Sequence, residues 1–231
     1  MSPRPRRDKQ QSNLQEAIKD TAWKQIAETG AATLSLRAIA RELGITAPAI
    51  YNYFPDRDAL VTALIIEAYT SFGDSQLEAR DAIPAENLTG RMLAIGMAYR
   101  AWALTHPQRY QLIFGTPLPG YVAPVEQVLP SAARSLSALV SVVDEIRKAG
   151  RLNAPDFPEV KDEYKFGFEM WQKFGGNYDL LSLSVATLIW ARVHGLVSLE
   201  ISHNLPPFGA NGDGLYLYEM LAVEKQFVKP S

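Results

Sequence analysis

The side chains able to do acid–base or metal chemistry are few and scattered. The chain has three histidines (His106, His194 and His203) and no cysteine, which removes disulfides, thiolate metal sites and a Cys nucleophile together. His194, Glu200 and His203 invite a metal reading. Nine positions at 100° each place the two histidines on opposite faces of a helix, and no HExxH or comparable ligand spacing occurs. His194 followed by Gly195 fits a helix-packing point, and His106 before Pro107 fits the end of a turn. Glycine-rich phosphate loops and paired His/Asp/Ser signatures are also missing. The expectation is therefore a protein without catalytic residues, metal or cofactor, whose chemistry is binding.

Composition agrees with a folded binding protein. The 231 residues are 47% hydrophobic and 21% charged, so one large domain or two small ones can bury a core. Lys plus Arg is 23 and Asp plus Glu is 25, a net charge of -2, which excludes a uniformly basic coat. Residues 1–60 hold nine Lys/Arg against seven Asp/Glu; the remainder holds 14 against 18. A basic front on an acidic body follows. No signal-peptide core follows the basic N-terminus, and Arg192 and His194 interrupt the apolar stretch from Leu188 to Val197. A cytoplasmic protein without a membrane partner is expected.

The elements that would position binding groups are helical throughout. Residues 1–12, with Arg4, Arg6, Arg7 and Lys9 against Asp8, read as a flexible basic tail. Asn13 can cap a first helix carrying Leu14, Ile18, Ala22 and Ile26 on one face, stopped by Gly30. A second, short helix starts near Ser35 with Leu36, Ile39, Ala40 and Leu43 inward. Gly44 ends it. Thr46 caps a third helix that carries Pro48 in its first turn and reaches about Tyr53. Phe54-Pro55-Asp56 breaks that helix, and Asp56 caps a fourth, running from Arg57 to about Arg80. Further helices are expected near 87–105, 107–114, 125–149, 160–174, 179–203 and 214–227. Strand-period alternation is absent, so the fold class is all-α.

Helices two and three, joined by a turn opening on Gly44, have the sequence shape of a helix-turn-helix. The second helix of such a pair fits a DNA major groove about 12 Å wide. Ile39, Leu43, Ile45, Ile50 and Phe54 belong to the small core beneath it.

The stretch Thr33-Leu-Ser-Leu-Arg-Ala-Ile-Ala-Arg-Glu-Leu-Gly-Ile-Thr-Ala-Pro-Ala-Ile-Tyr-Asn-Tyr-Phe-Pro-Asp-Arg-Asp-Ala-Leu resembles the DNA-binding signature of the tetracycline-repressor (TetR) family over residues 14 to 62. The resemblance implies three domains or segments: a tail at 1–12, a helix-turn-helix domain at 13–62 and a helical ligand-binding and dimerisation domain at 63–231. It implies that Ser35, Arg37, Thr46, Ala47, Ala49, Tyr51, Asn52, Tyr53 and Arg57 meet DNA. Thr46, Tyr51 and Arg57 would hold phosphates, and Arg37 a phosphate or a base. Ala47, Ala49, Asn52 and Tyr53 would face base edges, with Asn52 the best direct reader because Asn can bond adenine bidentately. Packing against the body is the alternative for Tyr53. One departure matters: from Gly44 to Asp56 there is no Lys or Arg. Phosphate attraction must then come from Arg37, Arg41, Arg57 and the tail.

Beyond residue 62 the chain is apolar and aromatic. Met97, Tyr99, Trp102, Tyr110, Phe114, Trp171, Phe174, Trp190 and His194 could line a cavity or pack as solid core. His106-Pro107 with Tyr110 and Phe114, and Trp190-Ala-Arg-Val-His-Gly195, resemble elements of a TetR subgroup named WHG. That resemblance implies a ligand-sensing, dimerising domain. The segment from Leu180 to Ile201 is apolar nearly all round and suits burial by a partner. Leu181, Leu188, Arg192, Leu196, Leu199, Leu217 and Leu221 are the candidate dimer residues. The function implied is a ligand-responsive repressor that binds a palindromic operator as a homodimer and is released by a small apolar or aromatic molecule. An activator or co-repressed regulator shares every one of these features, and a protein-partner-sensing module shares the scaffold.

Overall fold

A computed structural model describes the backbone of residues 4–155, 157–159, 161–205 and 212–230, and side chains within these except those of 4–12 and 162–164. Among the described residues ten α-helices follow one another: α1 (Arg4–Thr29), α2 (Leu36–Glu42), α3 (Ala47–Tyr51), α4 (Arg57–Asp81), α5 (Leu88–Thr105), α6 (Pro107–Phe114), α7 (Val125–Lys148), α8 (Asp162–Gly175), α9 (Leu180–Ile201) and α10 (Asp213–Phe227). A 3₁₀ turn, Ala31–Thr33, joins α1 to α2. Among the described residues the only β-type pairing is an isolated bridge between Leu152 and Val228, so the chain is all-α.

Most helix limits match the sequence pattern, with two differences. Helix α1 begins at Arg4 rather than at Asn13. Pro5 sits in its first turn, where a missing N–H removes no helix bond, and the Arg, Lys and Gln that follow are good helix formers. The basic side chains of Arg4, Arg6, Arg7 and Lys9 lie outside the described residues. Helix α3 stops at Tyr51, with Asn52 as its C-cap and Tyr53 beyond it.

The chain divides into two compact units. One holds residues 1–68 with 108–128; the other holds 69–107 with 129–231. The division falls inside α4, past the boundary expected at 62, and α6 groups with the N-terminal helices. The chemistry of α6 explains the grouping. Arg109 lies over the Trp23 ring at 4.8 Å and pairs with Glu67 at 3.0 Å, while Glu67 also accepts from Trp23 Nε1 at 3.1 Å and pairs with Lys19 at 2.8 Å. Tyr121 meets Thr62 through their hydroxyls at 2.9 Å.

The core of the first unit is made by Ile18, Ala22, Ile39, Ile50, Leu60, Val61 and Leu64, all fully buried, with Phe54 beside them. In the second unit Phe72, Met92, Ile95, Tyr99, Trp102, Val140, Ile146, Leu183, Ile189, Val193, Tyr216 and Val223 are buried. Trp102 donates to Ser71 Oγ at 3.0 Å, and its ring lies 4.8 Å from that of Phe72. Helix α9 has 22 residues and is long and apolar enough to cross a membrane by length and composition, despite Arg192 and His194. Its apolar excess has a structural use: Leu183, Val185, Ala186, Ile189, Val193 and Val197 are buried within the helical unit.

Buried charge in the second unit is paired. Arg100, 8% exposed, binds Glu200 through two nitrogens and Asp213 at 2.6 Å, joining α5 to the end of α9 and the start of α10. Asp144 accepts from Ser182 and Arg147 and pairs with Lys148 at 2.8 Å, joining α7 to α9. Removing one member of such a pair leaves the other charge uncompensated.

Candidate nucleic-acid interface

Helices α2 and α3 are set by their termini. Ser35 caps α2, its hydroxyl accepting from the Ala38 N–H at 3.4 Å. At the other end Gly44 takes φ +66°, its N–H reaches the Arg41 carbonyl, and the Ile45 N–H reaches the Ala40 carbonyl at 2.9 Å. This is the left-handed helix stop that glycine adopts without steric cost. A Cβ at Gly44 would meet no atom within 4 Å, so the demand for glycine there is conformational rather than spatial. Thr46 precedes α3 in extended geometry, its side chain making no capping bond. After α3 the Ala59 N–H donates to Asp56 Oδ1 at 2.7 Å and starts α4.

These stops turn one side of α3 inward and the other outward. Ile50 is fully buried, while Thr46, Ala47, Pro48, Tyr51 and Asn52 are exposed and Ala49 and Tyr53 half-buried. Arg37 and Arg41 on α2 are exposed too. Ser35 is half-buried, with its hydroxyl occupied by the cap. The exposed surface of α3 thus carries a hydroxyl, small methyl groups, a phenol and an amide, and no charge. Such a surface can hydrogen-bond base edges and touch thymine methyls, while the arginines of α2 supply positive charge beside it.

Arg57 does something the sequence did not indicate. Its Nη2 donates to the carbonyls of Ala31 and Ala32, at 3.1 and 3.3 Å. These carbonyls belong to the 3₁₀ turn between α1 and α2. Arg57 therefore pins the start of α4 to the turn that launches the helix-turn-helix. Glu67 and Arg109, which hold α1, α4 and α6 together, were likewise not singled out. An isolated charge on a helix reads as a solvated face until its partner from a distant helix is known.

The described cavity borders two of the candidate ligand residues. A small cavity of about 20 Å³ lies in the second unit, lined by Gln76, Ile95, Gly96, Tyr99, Trp190, Met220 and their neighbours. Of the residues singled out in the sequence, Tyr99 and Trp190 line it. Met97 is 42% exposed on the other side of α5. Trp102 is packed in the core. The rings of Tyr110 and Phe114 meet at a tilt of 58° in the first unit, centroids 5.1 Å apart. Trp171 and Phe174 lie on α8, away from the lining. His194 stacks on Trp190 at 5.0 Å, and its Nδ1 shares a hydrogen bond with the Tyr99 hydroxyl at 3.0 Å. Burial holds its imidazole below the ordinary histidine pKa. Among the described residues no group of three or more His, Asp or Glu could hold a metal ion.

The candidate dimer residues are mostly exposed or half-buried on α9 and α10. Leu188, Leu199, Leu217 and Leu221 are 41 to 53% exposed, and Leu181 and Leu196 are half-buried. Tyr218, at 71% exposure, joins them. Arg192 links α9 to α10 within the chain, through Glu219 and Gln226 at 2.6 Å each.

A helix-turn-helix on a short, uncharged, outward-facing third helix, followed by a larger helical unit, is the architecture of helix-turn-helix DNA-binding regulators. Comparison with known proteins specifies it. Residues 18–64 match the family model of bacterial regulatory proteins of the tetR family, and residues 92–223 match the tetracyclin repressor-like C-terminal domain. The HTH-type transcriptional regulator Rv1816 of Mycobacterium tuberculosis is 34% identical over 196 residues, spanning 85% of this chain and 83% of that one. The crystal structure of the regulatory protein SCO4313 superposes with a TM-score of 0.75 at 33% identity, covering 96% of this chain and 98% of that one. A protein of unknown function from Rhodococcus sp. RHA1 shares the fold, with a TM-score of 0.71 at 22% identity and coverage of 94% and 96%. The chain belongs to the TetR family: it is a helix-turn-helix transcriptional regulator that binds DNA.

Proposed function

We propose that the protein is a homodimeric repressor whose two α3 helices enter successive major grooves of a palindromic operator, and that a small apolar or aromatic molecule releases it. The observation that carries this reading is the apolar surface shared by α9 and α10. Leu188, Leu199, Leu217, Leu221 and Tyr218 are exposed on these two helices, and large exposed apolar patches mark interaction surfaces. A second copy of the same chain covers it by two-fold symmetry, and that symmetry makes the operator palindromic.

In the proposed complex Asn52 reads a base, and Ala47 and Ala49 touch thymine methyls. Thr46, Tyr51 and Arg37 hold phosphates, and Arg57 positions the reader by fixing the α1–α2 turn. Release requires the effector to bind the non-DNA-binding state more tightly than the DNA-binding state.

Sedimentation of the full-length protein tests the dimer, and salt-dependent binding to a random duplex tests its use. Wild type is expected to sediment as two chains and Leu221→Glu as one. The variant should show about half the wild-type slope of log affinity against log salt, because only one α3 is then engaged. A monomeric wild type, or equal slopes in a monomeric variant, overturns the reading.

A further inference from the structure

The cavity of the second unit contains a polar group without a use. Gln76, on α4, is 3% exposed. Its Nε2 donates to the Phe72 carbonyl at 3.1 Å. A carbonyl only accepts, so this bond fixes the amide's orientation and turns Oε1 away from the helix. Among the described residues Oε1 has no donor. The other polar groups at the cavity are engaged: the Tyr99 hydroxyl with His194, and the Tyr216 hydroxyl with the Gly96 carbonyl.

The second observation is what fills the space. Met220, 3% exposed on α10, lies directly on Gly96 of α5. A Cβ at Gly96 would collide with the Met220 sulfur, so the absence of a side chain there gives the thioether its seat. Tyr216, one turn earlier, fixes α10 to α5 by its bond to the Gly96 carbonyl. The seam therefore has a rigid post at Tyr216 and an unbranched, rotatable side chain at Met220. Methionine is the apolar residue most able to leave one packing for another. With Met220 in place the cavity of about 20 Å³ admits a water-sized group, since one water needs roughly 10–15 Å³. Withdrawal of the thioether adds the volume of its own atoms to that space, and apolar cavities large enough for a ring do take one.

We propose that this cavity is the effector site, that its ligand is a neutral ring compound carrying one hydrogen-bond donor, and that the ligand displaces Met220 and donates to Gln76 Oε1. The proposal rests on the reading of the second unit as effector-binding. Neutrality follows from the lining, which has no charged side chain; an ionised ligand would be buried without a partner. Arg100, one turn from Gly96, is already held by Glu200 and Asp213. Regulation follows from position. Met220 sits between Leu217 and Leu221, so a ligand that displaces it acts on the helix whose outer face is the proposed dimer surface.

Calorimetric titration of the full-length protein with phenol, toluene and benzoate tests the site without DNA. Met220→Val, a modest truncation, should bind phenol at least tenfold more tightly than wild type does and about tenfold more tightly than it binds toluene. Benzoate should not bind. Adding Gln76→Leu should abolish the preference for phenol over toluene. Phenol affinity indifferent to Met220→Val, or a phenol preference that survives Gln76→Leu, overturns the proposal. If Met220→Val does not give a cooperative melting transition, wild type and Gln76→Leu are compared at millimolar phenol and toluene, and an unchanged ratio overturns it equally. Intact phenol binding with no effect on DNA affinity would refute the effector reading and leave the binding site standing.

Discussion

Replacing Arg57 by alanine separates two roles that one cation at the start of α4 can play. In the structure its Nη2 bridges the carbonyls of Ala31 and Ala32 at 3.1 and 3.3 Å, and the side chain is 29% exposed. A hydrogen bond from a charged donor contributes about 1.5–3 kcal/mol when well shielded. One of these bonds is part-buried and the other exposed, so solvent screening leaves about 1–2 kcal/mol for the pair. Arg57→Ala should lower the unfolding free energy by that amount, shifting the urea midpoint without changing the m-value. Arg57→Lys should recover less than half, because an ammonium cannot span two carbonyls with a planar fork. DNA affinity should fall uniformly over sequences, while the slope of log affinity against log salt stays within about 0.3 of wild type. If stability is unchanged and the slope falls by about one, Arg57 meets a phosphate and the turn is held by other means.

Four further outcomes are expected. Asn52→Ala should cost about 1–3 kcal/mol at one base pair and relax preference there, as read from selected duplexes; an unchanged motif removes Asn52 as the reader. Gly44→Ala should destabilise by about 1–2 kcal/mol, because φ +66° strains any residue with a Cβ; equal urea midpoints would contradict this. Glu200 is held below its ordinary pKa of 4.5, first by the Arg100 guanidinium and then by the Gly212 N–H. Its stabilisation is therefore complete above about pH 4.5 and lost as pH falls through the lower folded-state value. Glu200→Gln should be less stable than wild type at pH 7 by about 1–3 kcal/mol, with the gap narrowing toward pH 3.5; a pH-independent gap refutes it. His194 is held below its ordinary 6.5 by burial, so on acidification the unfolded chain takes up a proton that the native one refuses. The melting temperature should fall between pH 7 and 5.5, and His194→Gln should flatten that fall; equal slopes would assign it elsewhere.

The helix-turn-helix was legible because its signals are local. Gly44 at a left-handed stop, Thr46 before α3 and Asp56 before α4 act on their own neighbours, and a sequence shows neighbours. The inward set Ile39, Ile50 and Phe54 was likewise fixed by helical periodicity. What could not be read depends on distant pairings. Arg57 resembles any cation opening a helix until the carbonyls of Ala31 and Ala32 are brought beside it. Gln76 follows the polar run Gly73-Asp74-Ser75, and only the packing of α5, α7, α9 and α10 around it makes it a buried group. The placement of the aromatics depends on packing in the same way. Trp102, Tyr110 and Phe114 occupy helical faces indistinguishable in sequence from that of Trp190, yet only Trp190 among those four borders the cavity. Arg192, expected at the dimer surface from its position on α9, also ties α9 to α10, a pairing no sequence pattern shows.

That paired α3 helices recognise DNA by two-fold symmetry is tested most directly by selecting bound duplexes from a random pool with purified full-length protein at near-physiological salt. A palindromic motif is expected, with half-site centres about 10 base pairs or a multiple of that apart and one strongly preferred A·T pair per half-site opposite Asn52. Enrichment of a single unrepeated site, or none at all from protein shown by mass spectrometry to carry no bound compound, would contradict it.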